Sequence, residues 1–198
     1  MIQAPFSKWP RDKAEYNNFV ELVEYLIKHL DIQVVLFSHS NGFVFEPSFK
    51  LIHGRDFPLV KQLHEIILSR NNIPSERLSL LTDIYTPKET KAIIGQFDML
   101  ISGRIHGAVA GLSQYVPTLI IDYGHEPKAH KIEGFAKSVS AEQYIAKPND
   151  AEDMKNKAAL CWKYRIEYSE NLKRQIPKIQ ELARLNFSTL KEIVNKDK

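Results

Sequence analysis

Met99-Leu100-Ile101-Ser102-Gly103-Arg104-Ile105-His106-Gly107 passes from an apolar triplet through a small, polar hinge into a run of small residues that ends at Gly111. An apolar segment that stops at Ser-Gly and resumes with helical spacing predicts a buried strand with Ser102 and Gly103 at its carboxyl end, followed by a short helix. Val116-Pro117 and the apolar Thr118 to Ile121 predict the next strand. Open α/β sheets bind ligands at the carboxyl ends of their parallel strands. Gly103 lets the backbone approach a ligand there, and the first N–H groups of the helix favour an anion. Arg104 adds a planar fork for carboxylate or phosphate, and His106 a group that exchanges a proton near neutral pH.

Upstream, Tyr16, Phe19, Val20, Val23, Ile27 and Leu30 fall on one face of a helix predicted over residues 12–30. Ile32 to Phe37 predicts a short parallel strand ending in Ser38-His39-Ser40-Asn41-Gly42, and Met1 to Ala4 reads as the remnant of another. Residues 43–56, with Pro47, Gly54 and three aromatics, are expected to form a mixed loop over the strand ends. A helix follows through Leu59, Val60, Leu63, Ile66 and Ile67, with Pro58 in its first turn and Asn71-Asn72 closing it. Leu78 to Leu81 predicts a strand, and Thr86-Pro87-Lys88-Glu89 a capping box that opens a helix to about Gly95. After Ile121, Asp122-Tyr123-Gly124-His125-Glu126-Pro127-Lys128 is a third polar strand end, with a short helix to Phe135 and a weak strand at Tyr144-Ile145 beyond it. From Asp150 the pattern is helical. A break is expected near Ile176-Pro177, because proline donates no backbone bond. The last helix carries an apolar stripe of Ile179, Leu182, Ala183, Phe187, Leu190 and Ile193. This alternation predicts an α/β domain over residues 1–150, a Rossmann-like parallel sheet flanked by helices, with C-terminal helices over 151–198 packing on it.

The 198 residues carry a net charge of +3, with Lys and Glu interleaved along the helices, so the charge reads as solvated surface and nucleic acid is not implied. The one cysteine, Cys161, allows no internal disulfide, fits a reducing compartment and has the neighbours of a packing residue. Neither a membrane-spanning run nor a signal-peptide pattern at the start is found, so the cytoplasm is the expected location, compatible with peripheral contact at the inner face of the membrane. No zinc spacing, metal loop, P-loop or Gly-x-Gly-x-x-Gly pattern is present, so no metal ligand set is assigned. Taken singly, an isolated histidine is more often structural than catalytic. Parallel strands, however, bring Ser38-His39, Ser102 to His106 and Asp122 to Lys128 to one edge of the sheet.

Those residues also carry a resemblance. Ser102-Gly103-Arg104-Ile105-His106-Gly107, the small-residue helix behind it, Val116-Pro117, Asp122-Tyr123 and then Lys128 resemble the polysaccharide pyruvyl transferase family over roughly residues 1 to 150. Val34 to His39 with the later Asp56 is similar to the family's strand ending in Pro-His and its acidic follow-up. Ser38 stands where proline is usual, Arg55 precedes Asp56 where a second acid is common, and Ile105 replaces leucine. The resemblance implies the C-terminal lobe of a GT-B-like, two-lobed transferase whose donor substrate is phosphoenolpyruvate, with no cofactor. It implies that Arg104 and His106 help bind the donor; Ser102, Gly103, Gly107, Asp122, Tyr123 and Lys128 are the further substrate-binding candidates, and the proton that ketal formation needs points to His106 as general acid, with His39 as the rival. A glycan or lipid-linked sugar acceptor and an N-terminal lobe of the same protein are the implied partners. Without that lobe, an exposed apolar patch on the last helix and dimerisation are expected. Two other readings stay open: a GT-B glycosyltransferase lobe that binds a nucleotide-sugar, and a non-catalytic anion-binding domain.

Overall fold

The computed structural model describes residues 13–123 and 130–196. Helix α1 (Lys13–Leu30) buries Tyr16, Phe19, Val20, Val23 and Ile27 along its predicted stripe. It ends where Asp31 takes a left-handed φ of 53° and the Ile32 N–H bonds back to the Leu26 carbonyl at 3.1 Å, which turns the chain into β1 (Val34–Leu36). Next comes a departure from expectation. Where a mixed loop was predicted, β2 (Asn41–Val44) and β3 (Lys50–His53) form an antiparallel hairpin. The hairpin is solvated on both faces, so its residues need not alternate apolar and polar, and its ladder satisfies the backbone without a core face.

Helix α2 (Asp56–Ser69) leads, past Asn71 at a positive φ of 50°, to β4 (Leu78–Leu80), which pairs parallel with β1. Helix α3 (Pro87–Ile94) opens with the predicted capping box: Glu89 N–H donates to Thr86 Oγ1 at 3.3 Å, and Thr86 N–H donates to Glu89 Oε2 at 2.8 Å. Then follow β5 (Leu100–Ser102), α4 (Ile105–Leu112), β6 (Thr118–Ile121), α5 (His130–Ser138), β7 (Ile145–Ala146), α6 (Ala151–Lys163) and α7 (Arg165–Lys196). Strands β5, β6 and β7 form a parallel sheet in that order. All four residues of β6 are buried, as expected of a strand covered on both faces.

Among the described residues the single predicted sheet is thus two parallel ladders. The edges of β1 and β5 flank an apolar cavity of about 400 Å³, lined by Val34, Leu36, Leu100 and Ile101 with Phe19 and Leu22 of α1. The strand predicted at Met1 to Ala4 lies outside the described residues. Met154, Ala158 and Cys161 of α6 and Tyr168, Leu172 and Ile176 of α7 join the same core as α1 and β6. Burial pushes the Cys161 thiol up to about 12, in keeping with packing. No helix among the described residues is long and apolar enough to cross a membrane.

The predicted break at Pro177 does not occur, and α7 runs through it. Proline at 177 deprives the Lys173 carbonyl of its helical partner. Lys173 and Pro177 are both exposed, so water can take over that bond and the helix continues. Beyond Ile179, residues 180–190 are exposed throughout.

Gly54 and Gly134 should respond oppositely to alanine. A Cβ at Gly54 would collide with the Ser40 backbone, whereas one at Gly134, inside α5, meets nothing within 4 Å. Urea denaturation is expected to show Gly54→Ala losing about 1–3 kcal/mol and Gly134→Ala gaining about 0.5–1 kcal/mol.

Candidate active site

The carboxyl end of β5 is shaped by Ser102. Its Oγ is fully buried, donates to the Arg104 carbonyl at 2.8 Å and accepts from the Arg104 N–H at 3.2 Å. This local turn leaves Arg104 extended (φ −110°, ψ 130°) as the cap residue of α4, where its own side chain makes no capping bond. The Arg104 side chain reaches instead to Asp56, the first residue of α2. Nε lies 2.5 Å from Oδ2 and Nη2 lies 2.7 Å from Oδ1. Asp56 is wholly buried while the Arg104 side chain keeps 24% of its exposure, so the pair seals the carboxylate and leaves part of the guanidinium open.

The hairpin holds this acid in place. The Gly54 N–H donates to the Ser40 carbonyl at 3.0 Å, tying the start of α2 to the strand end that carries His39. The His53 ring stacks on Phe57 with centroids 3.7 Å apart, and Asn41 Nδ2 donates to the Tyr85 carbonyl at 2.6 Å.

His39 is half-buried, and its pKa is lowered chiefly by that burial and then by the positive charge of Arg104. Asp56 opposes the shift and His106 adds to it. One imidazole therefore senses groups from α2, the β5 end and α4 together. His106 itself is exposed on the first turn of α4.

The structure thus brings His39, Arg104 and His106 to one edge, and gives several other predicted residues a different setting. The fork of Arg104, expected to grip a ligand bidentately, is engaged by Asp56. Ser102 faces inward and serves the Arg104 backbone. The space beside Gly103 is taken by Tyr123, since a Cβ there would lie 2.5 Å from the ring, so this glycine admits a neighbouring side chain. Gly107 is buried in the first turn of α4. Asp122 is half-buried after β6, with its N–H bonded to the Ala146 carbonyl at 2.9 Å. Lys128, with His125, lies outside the described residues.

Asp56, the buried partner of Arg104, has no site role in the motif pattern. Its signal was an arginine at a buried strand end, which needs a counter-charge, and an acid following Gly54-Arg55. No group of three or more His, Cys, Asp or Glu placed to hold a metal ion occurs among the described residues. The apolar cavity between β1 and β5 is lined by none of these side chains.

The model of the family described as "Polysaccharide pyruvyl transferase" matches residues 6–125. No curated protein matches the chain. Among solved structures, a mutant of the O-GlcNAc transferase of Thermobaculum terrenum is similar, with a TM-score of 0.58 at 13% identity over 82% of this chain. At that identity the likeness concerns the fold alone, which is GT-B-like. This chain spans 29% of that protein's length.

Asp56→Asn is expected to cost about 3 kcal/mol in urea denaturation, because it leaves a buried polar group facing a cation that has lost its partner. For His39, the unfolded chain takes up a proton near the ordinary value of about 6.5 and the folded chain only at lower pH. Within that window the unfolded state binds more protons, so this contribution to stability is lost as pH falls below about 6.5 and regained as it rises. Urea midpoints measured across the window should show that slope in wild type and a shallower one in His39→Gln.

Proposed function

The chain belongs to the polysaccharide pyruvyl transferase family, and from that premise we propose that the Arg104–His106 edge binds phosphoenolpyruvate and transfers its pyruvyl group to two hydroxyls of a glycan as a ketal. The observation that carries this reading is the ion pair that fixes Arg104 beside His39 and His106 at the end of β5. Phosphoenolpyruvate presents a carboxylate and a phosphate. Asp56 occupies the Nε and Nη2 edge of the guanidinium, so Arg104 meets the donor through Nη1, which has no partner among the described residues. The first-turn N–H groups of α4, which the Arg104 side chain does not cap, take the second anionic end. Asp122 and Tyr123 follow β6, and Lys128, by the family resemblance, is the further donor-binding residue.

Ketal formation requires a proton on the methylene carbon and attack by one sugar oxygen on the adjacent carbon. A second oxygen then closes the ring as the carbon–oxygen bond to phosphate breaks. Of the two hydroxyl protons, one balances the new methyl group and the other leaves with phosphate. Burial and the Arg104 charge keep His39 neutral near pH 7, which suits it to accept a hydroxyl proton. His106, exposed to solvent on the helix, is then the proton donor to the methylene. Phosphoenolpyruvate is a substrate in this scheme, and no cofactor enters it.

The acceptor is a glycan or lipid-linked sugar, presented to the Arg104–His106 edge by an N-terminal lobe of the same protein, with the reaction on the cytoplasmic side.

Thermal unfolding of this chain tests donor choice. At 100-fold excess over Kd, phosphoenolpyruvate should stabilise wild type by about 2.7 kcal/mol and Arg104→Lys by much less, while UDP-GlcNAc leaves the melting temperature in place. Stabilisation by UDP-GlcNAc alone would transfer the site to a nucleotide-sugar. In a turnover-competent protein, His106→Gln should keep donor binding and lose about 10²- to 10⁴-fold in kcat.

A further inference from the structure

Between α7 and the turn that precedes β7 lies a second cavity, of about 260 Å³. Gln143 and Tyr144 of that turn stand at the amino end of β7, which runs parallel to β5 and β6. The cavity therefore sits at the opposite edge of the sheet from Arg104 and His106. Aromatic rings form one side of it. Tyr144 and Tyr168, both buried, stack with centroids 4.3 Å apart, and the Tyr168 hydroxyl donates to the Thr118 carbonyl at 3.4 Å, which fixes the pair to the start of β6. Tyr164, at the joint of α6 and α7, is half-exposed and borders the same space.

The other side is polar. Glu167, Asn171 and Arg174 follow one another four and three residues apart, so they share one face of α7 and span about 10 Å of it. None of the three makes a hydrogen bond or an ion-pair contact among the described residues, and Arg174 acts on Glu170 only through space. Glu170 and Lys173, which do not line the cavity, pair with each other at 2.7 Å. The Tyr144 hydroxyl feels the Gln143 amide and the Glu167 carboxylate, so polar groups of the turn and of the helix converge.

This lining discriminates among ligands. An anion meets Glu167 and a cation meets Arg174, so neither charge is favoured. A dipolar amino acid is too short to reach both, because they stand at the two ends of a row about 10 Å long. The volume lies under the roughly 300–1,000 Å³ that drug-sized ligands occupy, too little for a nucleotide. A hexose matches each feature. Its hydroxyls donate and accept, as a row of carboxylate, amide and guanidinium requires, and its C–H face suits an aromatic ring.

We infer that this cavity is a second saccharide site, one that holds an uncharged hexose unit of a glycan while another unit of the same chain reacts at the Arg104–His106 edge. The coupling to the reaction rests on the proposed function; the site rests on its own residues. A glycan long enough to pass round the domain and be held at two places keeps its reacting unit at a raised effective concentration, so each contact need only be weak.

Side-chain NMR on the isotope-labelled chain tests this, with methyl β-D-glucoside, methyl β-D-galactoside and methyl α-D-mannoside as probes. At least one should give saturable shifts in the Gln143 and Asn171 amides and the Arg174 Nε–H. Asn171→Ala should weaken that binding about tenfold with an unchanged melting curve, and Lys173→Ala should leave it as in wild type. No saturable shift from any of the three sugars would overturn the site, as would equal binding by Asn171→Ala. Tighter binding of methyl β-D-glucuronide than of methyl β-D-glucoside would overturn its assignment to an uncharged sugar. Phosphoenolpyruvate added to the same sample should move the Ile105, His106 and Gly107 amides and leave the second site in place. Sugar shifts without that response would count against the donor reading alone.

Discussion

A carboxylate with no exposure to water must have its charge answered nearby, and in this protein the answer to Asp56 comes from Arg104, 48 residues along the chain. Removing two charges from water offsets much of their attraction, so the pair contributes little net stability and a great deal of placement. It joins the start of α2, the helix that leads into β4, to the end of β5, and the ladders of β4 and β5 share no backbone pairing among the described residues. Moving either partner would move the other.

The consequences run outward from that bond. A guanidinium held at two of its nitrogens has a fixed plane and a defined remaining edge. Its charge, added to burial, holds His39 neutral, while His106 stays in contact with solvent. Burial thus sets His39 apart from the exposed His106 at the same edge. The hairpin supports the arrangement from behind through the close approach of Gly54 to Ser40.

Much of this was legible in the sequence, and the limits have physical causes. The α1 stripe, the Thr86 capping box and the wholly apolar β6 are local patterns that burial enforces, and each was readable. The hairpin escaped because a ribbon solvated on both faces leaves no periodic trace, and the continuity of α7 because an exposed carbonyl can take water in place of a proline's missing N–H. At the site, His39, Arg104 and His106 could be placed together because parallel strands force their ends to one edge. That Asp56 would claim the arginine fork, and that Gly103 would make room for Tyr123, depend on contacts between distant segments that spacing does not encode. The family match over residues 6–125 contains all the predicted site residues except Lys128, so the family likeness and the geometry fall on the same part of the chain.

We propose that phosphoenolpyruvate, a small anion with a carboxylate at one end and a phosphate at the other, sits where Arg104 and the first turn of α4 meet. Amide and side-chain NMR on the isotope-labelled chain, titrated with phosphoenolpyruvate, examines that place directly. The account predicts saturable shifts in the Ile105, His106 and Gly107 amides and the Arg104 side-chain N–H groups, moving together with one affinity. Shifts confined to the apolar cavity between β1 and β5, or none at saturating donor, would contradict it.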